Sequence, residues 1–195
     1  MDEQITMTER ESLLLITSMI NKAKSRLSEN GLLYILWGWL IFICCVVQFV
    51  ALHFFNNQNA YSIWFVTWLA PIFQFFYLRK TRKRLKAKTY TDEIIAFVWI
   101  VFVICIALLI FMLIYVKAYN GISPAVLIMY GMPTLLCGVI LKFRPLKIGA
   151  IACWVLAILS TLMVYEYQLL LIALGVAIAW IVPGYILKQR FNRQN

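Results

Sequence analysis

Six apolar stretches of near-membrane length, separated by short polar joints, constrain this chain more than any motif within it. A hydrocarbon layer about 30 Å thick takes about twenty helical residues to cross. Residues 32–54, 61–78, 94–116, 124–141, 148–165 and 168–187 each come close to that length. Between them, Asn56-Asn57-Gln58-Asn59 is a polar turn, residues 79–88 are basic, and residues 117–123 contain Asn120-Gly121. Lys142-Phe143-Arg144-Pro145-Leu146-Lys147 is a short basic link, and residues 165–168 make the tightest joint. Composition agrees, since 64% of the 195 residues are hydrophobic where a soluble domain has about 45–50%. The mean hydropathy is +0.85. The expected fold is all-α: a polytopic membrane protein, a six-transmembrane-helix bundle over residues 31–195, with a cytoplasmic amphipathic helix in residues 1–30.

Charge orients this bundle. With the N-terminus in the cytoplasm, every one of the 18 Lys and Arg residues except Lys117 falls on the cytoplasmic side, and Lys/Arg bias in short loops is what sets membrane orientation. Both termini are therefore expected inside. The formal net charge of +10 is read as topological, and no nucleic-acid partner is expected. Arg79, Lys80, Arg82, Lys83, Arg84, Lys86 and Lys88 form the densest run, yet only Leu85 and Ala87 are apolar within residues 82–88. Nucleic-acid binding asks for interleaved aromatics or a folded reading element, so this run is expected to contact anionic lipid headgroups, at about 1 kcal/mol per residue. Thr91-Asp92-Glu93 then caps the third span, with acids at the positive end of a helix.

Residues 1–30 lack the apolar core of a secretory signal, so the first span is expected to stay in the mature protein. Thr8-Glu9-Arg10-Glu11 fits a capping box, and Leu13, Ile16, Ile20, Ala23 and Leu27 recur at helical spacing. Asn30-Gly31 is expected to close this helix, because glycine tolerates the left-handed backbone of helix ends. Such a helix lies in the headgroup layer or docks a cytoplasmic protein partner through residues 8–28.

No ionisable side chain lies near the middle of any span, and buried charge is what usually marks transport or catalysis in a membrane. His53 and Glu166 both fall near the outer face, where a contact between them is allowed but not required. One histidine excludes a His-rich metal site, bis-histidine haem ligation and a His-based zinc protease motif within the chain. Cys44, Cys45, Cys105, Cys137 and Cys153 all sit in apolar runs, with no C-x-x-C, and read as small hydrophobes. No catalytic residue, metal or cofactor is expected. The polar side chains left within spans are Gln48, Gln74 and Thr134, with Thr67, Ser160 and Thr161. They serve as hydrogen-bonding glue between helices or line a pocket for a neutral or apolar ligand.

Two patterns bear on packing. Trp39, Trp99 and Trp154 occupy similar settings in the odd spans, and Trp68-Leu69-Ala70-Pro71, Tyr130-Gly131-Met132-Pro133 and Trp180-Ile181-Val182-Pro183 share aromatic-x-x-Pro in the even ones. Three repeated two-helix hairpins, each with a proline kink, would produce this. In the last span, Ala173 with Ala177 and Gly175 with Ala179 are small-xxx-small pairs suited to close helix packing.

Several segments together carry a resemblance. Glu11-Ser12-Leu13 with Met19-Ile20-Asn21-Lys22-Ala23-Lys24, Leu36-Trp37-Gly38-Trp39, Lys88-Thr89-Tyr90-Thr91-Asp92, Lys142-Phe143-Arg144-Pro145-Leu146 and Ile181-Val182-Pro183-Gly184-Tyr185 resemble an uncharacterised family of small bacterial six-span inner-membrane proteins. The resemblance implies a bacterial inner-membrane location and supplies no activity. The functional expectation is a non-enzymatic interaction or regulatory module. The alternative is a small transporter or binding bundle for a neutral or apolar ligand, built around Gln48, Gln74 and Thr134 and assembled as a homo-oligomer.

Overall fold

The computed structural model describes residues 9–84 and 90–192, and all regular structure among them is helical. The elements are α1 (Glu9–His53), a 3-10 helix (Gln58–Trp68), α2 (Leu69–Arg84), α3 (Tyr90–Tyr115), a short 3-10 turn (Tyr119–Gly121), α4 (Ile122–Ile140), α5 (Arg144–Thr161), α6 (Tyr165–Val176), a π-helical segment (Ala177–Ile181) and α7 (Val182–Asn192). Five stretches are long and apolar enough to cross a bilayer: Gly31–His53, Glu93–Tyr115, Tyr119–Ile140, Arg144–Thr161 and Tyr165–Arg190. The expected span at 61–78 is instead divided between the 3-10 helix and α2. Pro71 has no N–H to bond the Thr67 carbonyl and falls in the first turn of α2, where none is needed. Upstream, Asn57 accepts from the Asn59 N–H at 3.0 Å and caps the 3-10 helix.

Two further expectations are corrected. Asn30-Gly31 does not end a helix, because α1 runs unbroken for 45 residues. No described glycine has positive φ; Gly31 instead serves close approach, since a Cβ there would lie 3.2 Å from the Gly184 carbonyl oxygen and 3.1 Å from Leu187 Cβ. Thr8 of the anticipated capping box lies outside the described residues, as do Lys86 and Lys88 of the basic run. The fifth joint falls at residues 162–164, ahead of its expected place, because Val164 is extended (φ −65°, ψ 146°) and starts α6 at Tyr165. Three other joints each use a non-glycine residue at positive φ: Asn56, Lys117 and Lys142.

The prolines of the three aromatic-x-x-Pro segments are accommodated in three ways. Pro71 opens α2, Pro133 lies inside α4, and Pro183 follows the π-helical segment. At the last of these the Val182 N–H bonds the Ala177 carbonyl, five residues back. The π turn absorbs the donor that Pro183 lacks.

Helix α6, the π segment and α7 form the axis of the bundle. They pack against α1 and α5, while α4 and α5 form the most extensive pair. In the apolar 18-residue core of Tyr165–Arg190 and in that of Tyr119–Ile140, 56% is buried, whereas only 6% of the corresponding stretch of Glu93–Tyr115 is. Helix α3 is thus peripheral. It is held by an aromatic cluster in which Trp99 meets Tyr34 of α1, Phe102 of its own helix and Trp180 of the π segment at centroid distances of 5.8, 5.5 and 5.7 Å. Tyr130 of α4 lies 4.7 Å from Trp180 and completes the cluster.

Small residues set the axial contacts. Gly149 of α5 meets the π segment so closely that a Cβ would stand 2.6 Å from Ala179 Cα and 3.1 Å from the Ile178 carbonyl oxygen. Gly38 of α1 fits against Ile181, and Gly175 against Leu127. The Gly175–Ala179 pair therefore seats two neighbouring helices, as small-xxx-small spacing anticipates.

Chain ends and joints separate cleanly. At one end His53 contacts Glu166 at 3.1 Å, and the 119–122 joint lies beside the α5–α6 turn. At the other, the Arg190 guanidinium sits 5.1 Å above the Phe143 ring, joining the chain's end to the basic α4–α5 joint. We refer to these as the His53 end and the Arg190 end.

Gly149→Ala should lower the unfolding free energy in detergent by about 1–3 kcal/mol through overpacking against backbone. Gly121→Ala, whose Cβ would meet only Leu113 at an ordinary 3.6 Å, should leave the thermal midpoint unchanged. Equal effects from the two substitutions would refute the close α5–π contact.

Candidate functional site

Indole N–H groups inside a bilayer have no water to bond, so each needs a protein acceptor. Three tryptophans find theirs in the three polar residues singled out from sequence. Trp64 of the 3-10 helix donates to Gln48 Oε1 at 2.6 Å, and Gln48 Nε2 in turn donates to the Tyr165 hydroxyl at 3.3 Å. Trp37 of α1 donates to Gln74 Oε1 of α2 at 2.6 Å. Trp180 of the π segment donates to Thr134 Oγ1 of α4 at 2.9 Å, while the Thr134 hydroxyl donates to the Tyr130 carbonyl at 2.7 Å.

These bonds consume the polarity that a ligand pocket would need. Gln48 is 2% exposed and Thr134 0%, and each is committed to a partner on another element. Gln48 ties α1 to the 3-10 helix and α6; Gln74 ties α2 to α1; Thr134 ties α4 to the axis. The structure does not gather the three around one cavity. Two further tryptophans follow the same rule, with Trp154 donating to the Ile128 carbonyl and Trp39 to the Tyr185 hydroxyl, both at 3.3 Å. Of the other in-span hydroxyls, Thr67 and Thr161 donate to carbonyls three residues back, at 2.6 and 2.7 Å.

At the His53 end, His53 Nδ1 lies 3.1 Å from Glu166 Oε2, its ring is stacked on Phe49 at 5.4 Å, and Tyr167 lies 6.2 Å away. Both side chains of the pair are about 40% exposed, at 41% and 38%, so the contact is worth little in free energy. It joins α1 to α6 without isolating a reactive group from water. Beside it a recess of about 490 Å³ opens between the 119–124 joint and the α5–α6 turn, and Gln168 is among its walls. Gln168 Nε2 donates to the Met163 carbonyl at 3.0 Å. Its Oε1 is buried and has no partner, as are Ser160 Oγ and the Tyr34 hydroxyl.

Among the described residues no three His, Cys, Asp or Glu side chains converge on a metal-sized site. Cys44, Cys45, Cys137 and Cys153 are buried free thiols, and Cys105 is exposed on α3. In the basic run, Arg79 to Arg84 form the last turns of α2. Sequence reasoning identified the hydrogen-bond acceptors but neither their indole donors nor Gln168. The donors were open to inference, because the chain has seven tryptophans and few in-span acceptors.

No family model matches the chain, and neither a curated protein nor a solved structure matches it. The motif resemblance to small bacterial membrane proteins thus carries no family assignment.

Thr134→Val should destabilise the protein by about 1–3 kcal/mol, the range for leaving a buried donor unpaired. In a cycle with Trp180→Phe, the double variant should cost less than the sum of the singles, with a coupling of about 0.5–1.5 kcal/mol. Strict additivity in chemical unfolding would contradict the bond.

Proposed function

We propose that this chain is a non-catalytic, multi-pass protein of the bacterial inner membrane, an interaction or regulatory module that crosses the bilayer six times with both ends in the cytoplasm. The observation that carries the proposal is the length of α1. Of its 45 residues, 23 suffice for the span Gly31–His53, leaving 22 that continue as helix for about 33 Å beyond it. Continuity with the span supports a helix that projects from the membrane over one that lies in the headgroup layer. Whatever engages this extension pulls on a rod that is seated at Gly31 and Gly38 against Gly184 and Ile181 of the axis. A cytoplasmic protein partner binding residues 8–28 would thereby reach the bundle core.

Six crossings are supported by parity. Helix α1 finishes at the His53 end, and α3 finishes there too, since its joint to α4 lies beside the α5–α6 turn. The chain between residues 54 and 90 must therefore return to the Arg190 end. The 3-10 helix rises about 2.0 Å per residue and α2 about 1.5 Å, so residues 58–78 cover about 37 Å, enough for a hydrocarbon layer of about 30 Å. Lys142, Arg144, Lys147, Lys188 and Arg190 then share one face with the end of α2 at Arg79–Arg84, and the positive-inside rule favours a cytoplasmic placement for that face. Anionic lipid contact by the run follows from the same placement. The ligand-bundle reading loses its footing, because Gln48, Gln74 and Thr134 are each taken by an indole.

Reporter fusions after residues 57 and 120 should report the outside, and fusions after residues 88, 144 and 195 the inside; the reverse pattern, or the same side at 57 and 88, would defeat the topology. Affinity purification from native membranes, coupled to cross-linking, should recover a stoichiometric cytoplasmic protein that is lost on deleting residues 1–28 while insertion is retained. Recovery of the same partner from the deletion variant, or only of further copies of this chain, would count against the module.

A further inference from the structure

On the premise that α1 is the docking helix proposed above, we infer that its projecting part takes an amphipathic helix with acidic flanks, supplied by another cytoplasmic protein and not by a second copy of this chain. Leu13, Ile16, Ile20, Ala23 and Leu27 are spaced three, four, three and four residues apart. That is the a and d spacing of a heptad, the seam that one helix presents to another. Leu14 and Leu15 widen it at the tip. Helix α1 is continuous through all these positions, so the row keeps to one face. The neighbours of α1 stop short of its tip. Gly31 abuts Gly184 and Leu187, so Asn192 at the end of α7 stands level with about residues 23–26 at the helical rise. The Trp37–Gln74 bond sets Arg84, at the end of α2, level with about residue 27. The Trp99–Tyr34 contact sets Tyr90, at the start of α3, level with about residue 25. The outer part of the row, with Leu13, Ile16 and Ile20, therefore lies beyond the described ends of α2, α3 and α7.

Charge selects the partner. With that row at a and d, the charged residues at e and g across residues 9–30 are Arg10, Lys24 and Arg26, all basic. Charges at e and g set partner choice between paired helices. At the foot of the projection, Arg144, Lys188 and Arg190 are exposed on the Arg190 end of the bundle, so a helix that reaches the base of α1 meets further positive charge. Acidic residues along its flanks answer both. A second copy does not. Two copies in one membrane insert with the same orientation, so their α1 helices run parallel. Arg10, Lys24 and Arg26 of each would then line a common seam, with no acid at e or g in residues 9–30 to offset them.

Fluorescence anisotropy with two designed peptides and the full-length protein in phosphatidylcholine nanodiscs tests this directly. Each peptide is a helix about three heptads long with leucine at a and d; one carries glutamate at every e and g position, the other lysine. The wild type should bind the glutamate peptide about tenfold more tightly than the lysine peptide, as three exposed charge pairs change sign. Lys24→Glu combined with Arg26→Glu should reverse that preference. Ile16→Ala combined with Ile20→Ala removes the seam while leaving the best helix former in place, and should lose both peptides. Equal binding of the two peptides, or unchanged binding by the alanine variant, would overturn the inference. So would no binding at all, the result expected of a helix held on lipid. Dimerisation of the wild type that the alanine variant loses would make a second copy the occupant and overturn it too. A native partner that requires residues 1–28 yet is retained by both double variants would remove the acidic helix and leave the module standing. Recovery of no native partner, with the peptides still discriminated, would leave the docking surface standing and remove the module.

Discussion

A polar group inside a bilayer must be satisfied by the protein itself, and in this chain the tryptophan indoles show how that constraint organises a bundle. Each indole is a large apolar body with a single donor. Placed in a span, it secures apolar packing at almost any rotation but satisfies its N–H at only one. The bonds from Trp64 to Gln48, Trp37 to Gln74 and Trp180 to Thr134 therefore set the rotation of the 3-10 helix, α1 and the π segment about their own axes. Hydrophobicity alone cannot do this, because lipid tails are as apolar as the helix faces that compete with them.

Glycine sets distance where tryptophan sets rotation. At Gly149, Gly31 and Gly38 the backbones of α5 and α1 come up against the last helix with no room for a methyl group. The π turn at Ala177–Ile181 places Ala179 against Gly149 while Trp180 turns into the aromatic cluster. The missing N–H of Pro183 is thus converted from a defect into the geometry that lets one segment meet α1, α3, α4 and α5. The projecting part of α1 is continuous with this contact, which is why an event on the cytoplasmic side is proposed to be felt in the core.

The lengths of the apolar runs made most of the helical bundle legible in the sequence. The stretches Gly31–His53 and Glu93–Tyr115 lie within a residue of where hydropathy set them, because the thickness of the bilayer and the cost of charge leave little freedom. Backbone form was less legible. The 3-10 helix, the π turn and the unbroken α1 depend on neighbours distant in sequence. Gly31 illustrates the reason, since helix termination and close approach demand the same residue and only the presence of Gly184 opposite decides between them. The polar residues were recognised as a set, but their pairing was hidden by sequence separations of 16 to 46 residues between indole and acceptor. Gln168 was passed over as part of a tight joint, although the joint proper ends at Val164 and leaves Gln168 inside α6.

With Gln48 and Thr134 each held by an indole, neither is left free to line a wet path. Hydrogen–deuterium exchange of the indole N–H groups, followed by nitrogen-15 NMR of the protein in lipid nanodiscs, measures that property residue by residue. The indoles of Trp64 and Trp180 should stay protonated for hours after transfer to D₂O, with Trp180 the slowest of the seven. Exchange of either within minutes would mean that water reaches Gln48 or Thr134, and the interior would then have to be redrawn as a solvated pocket.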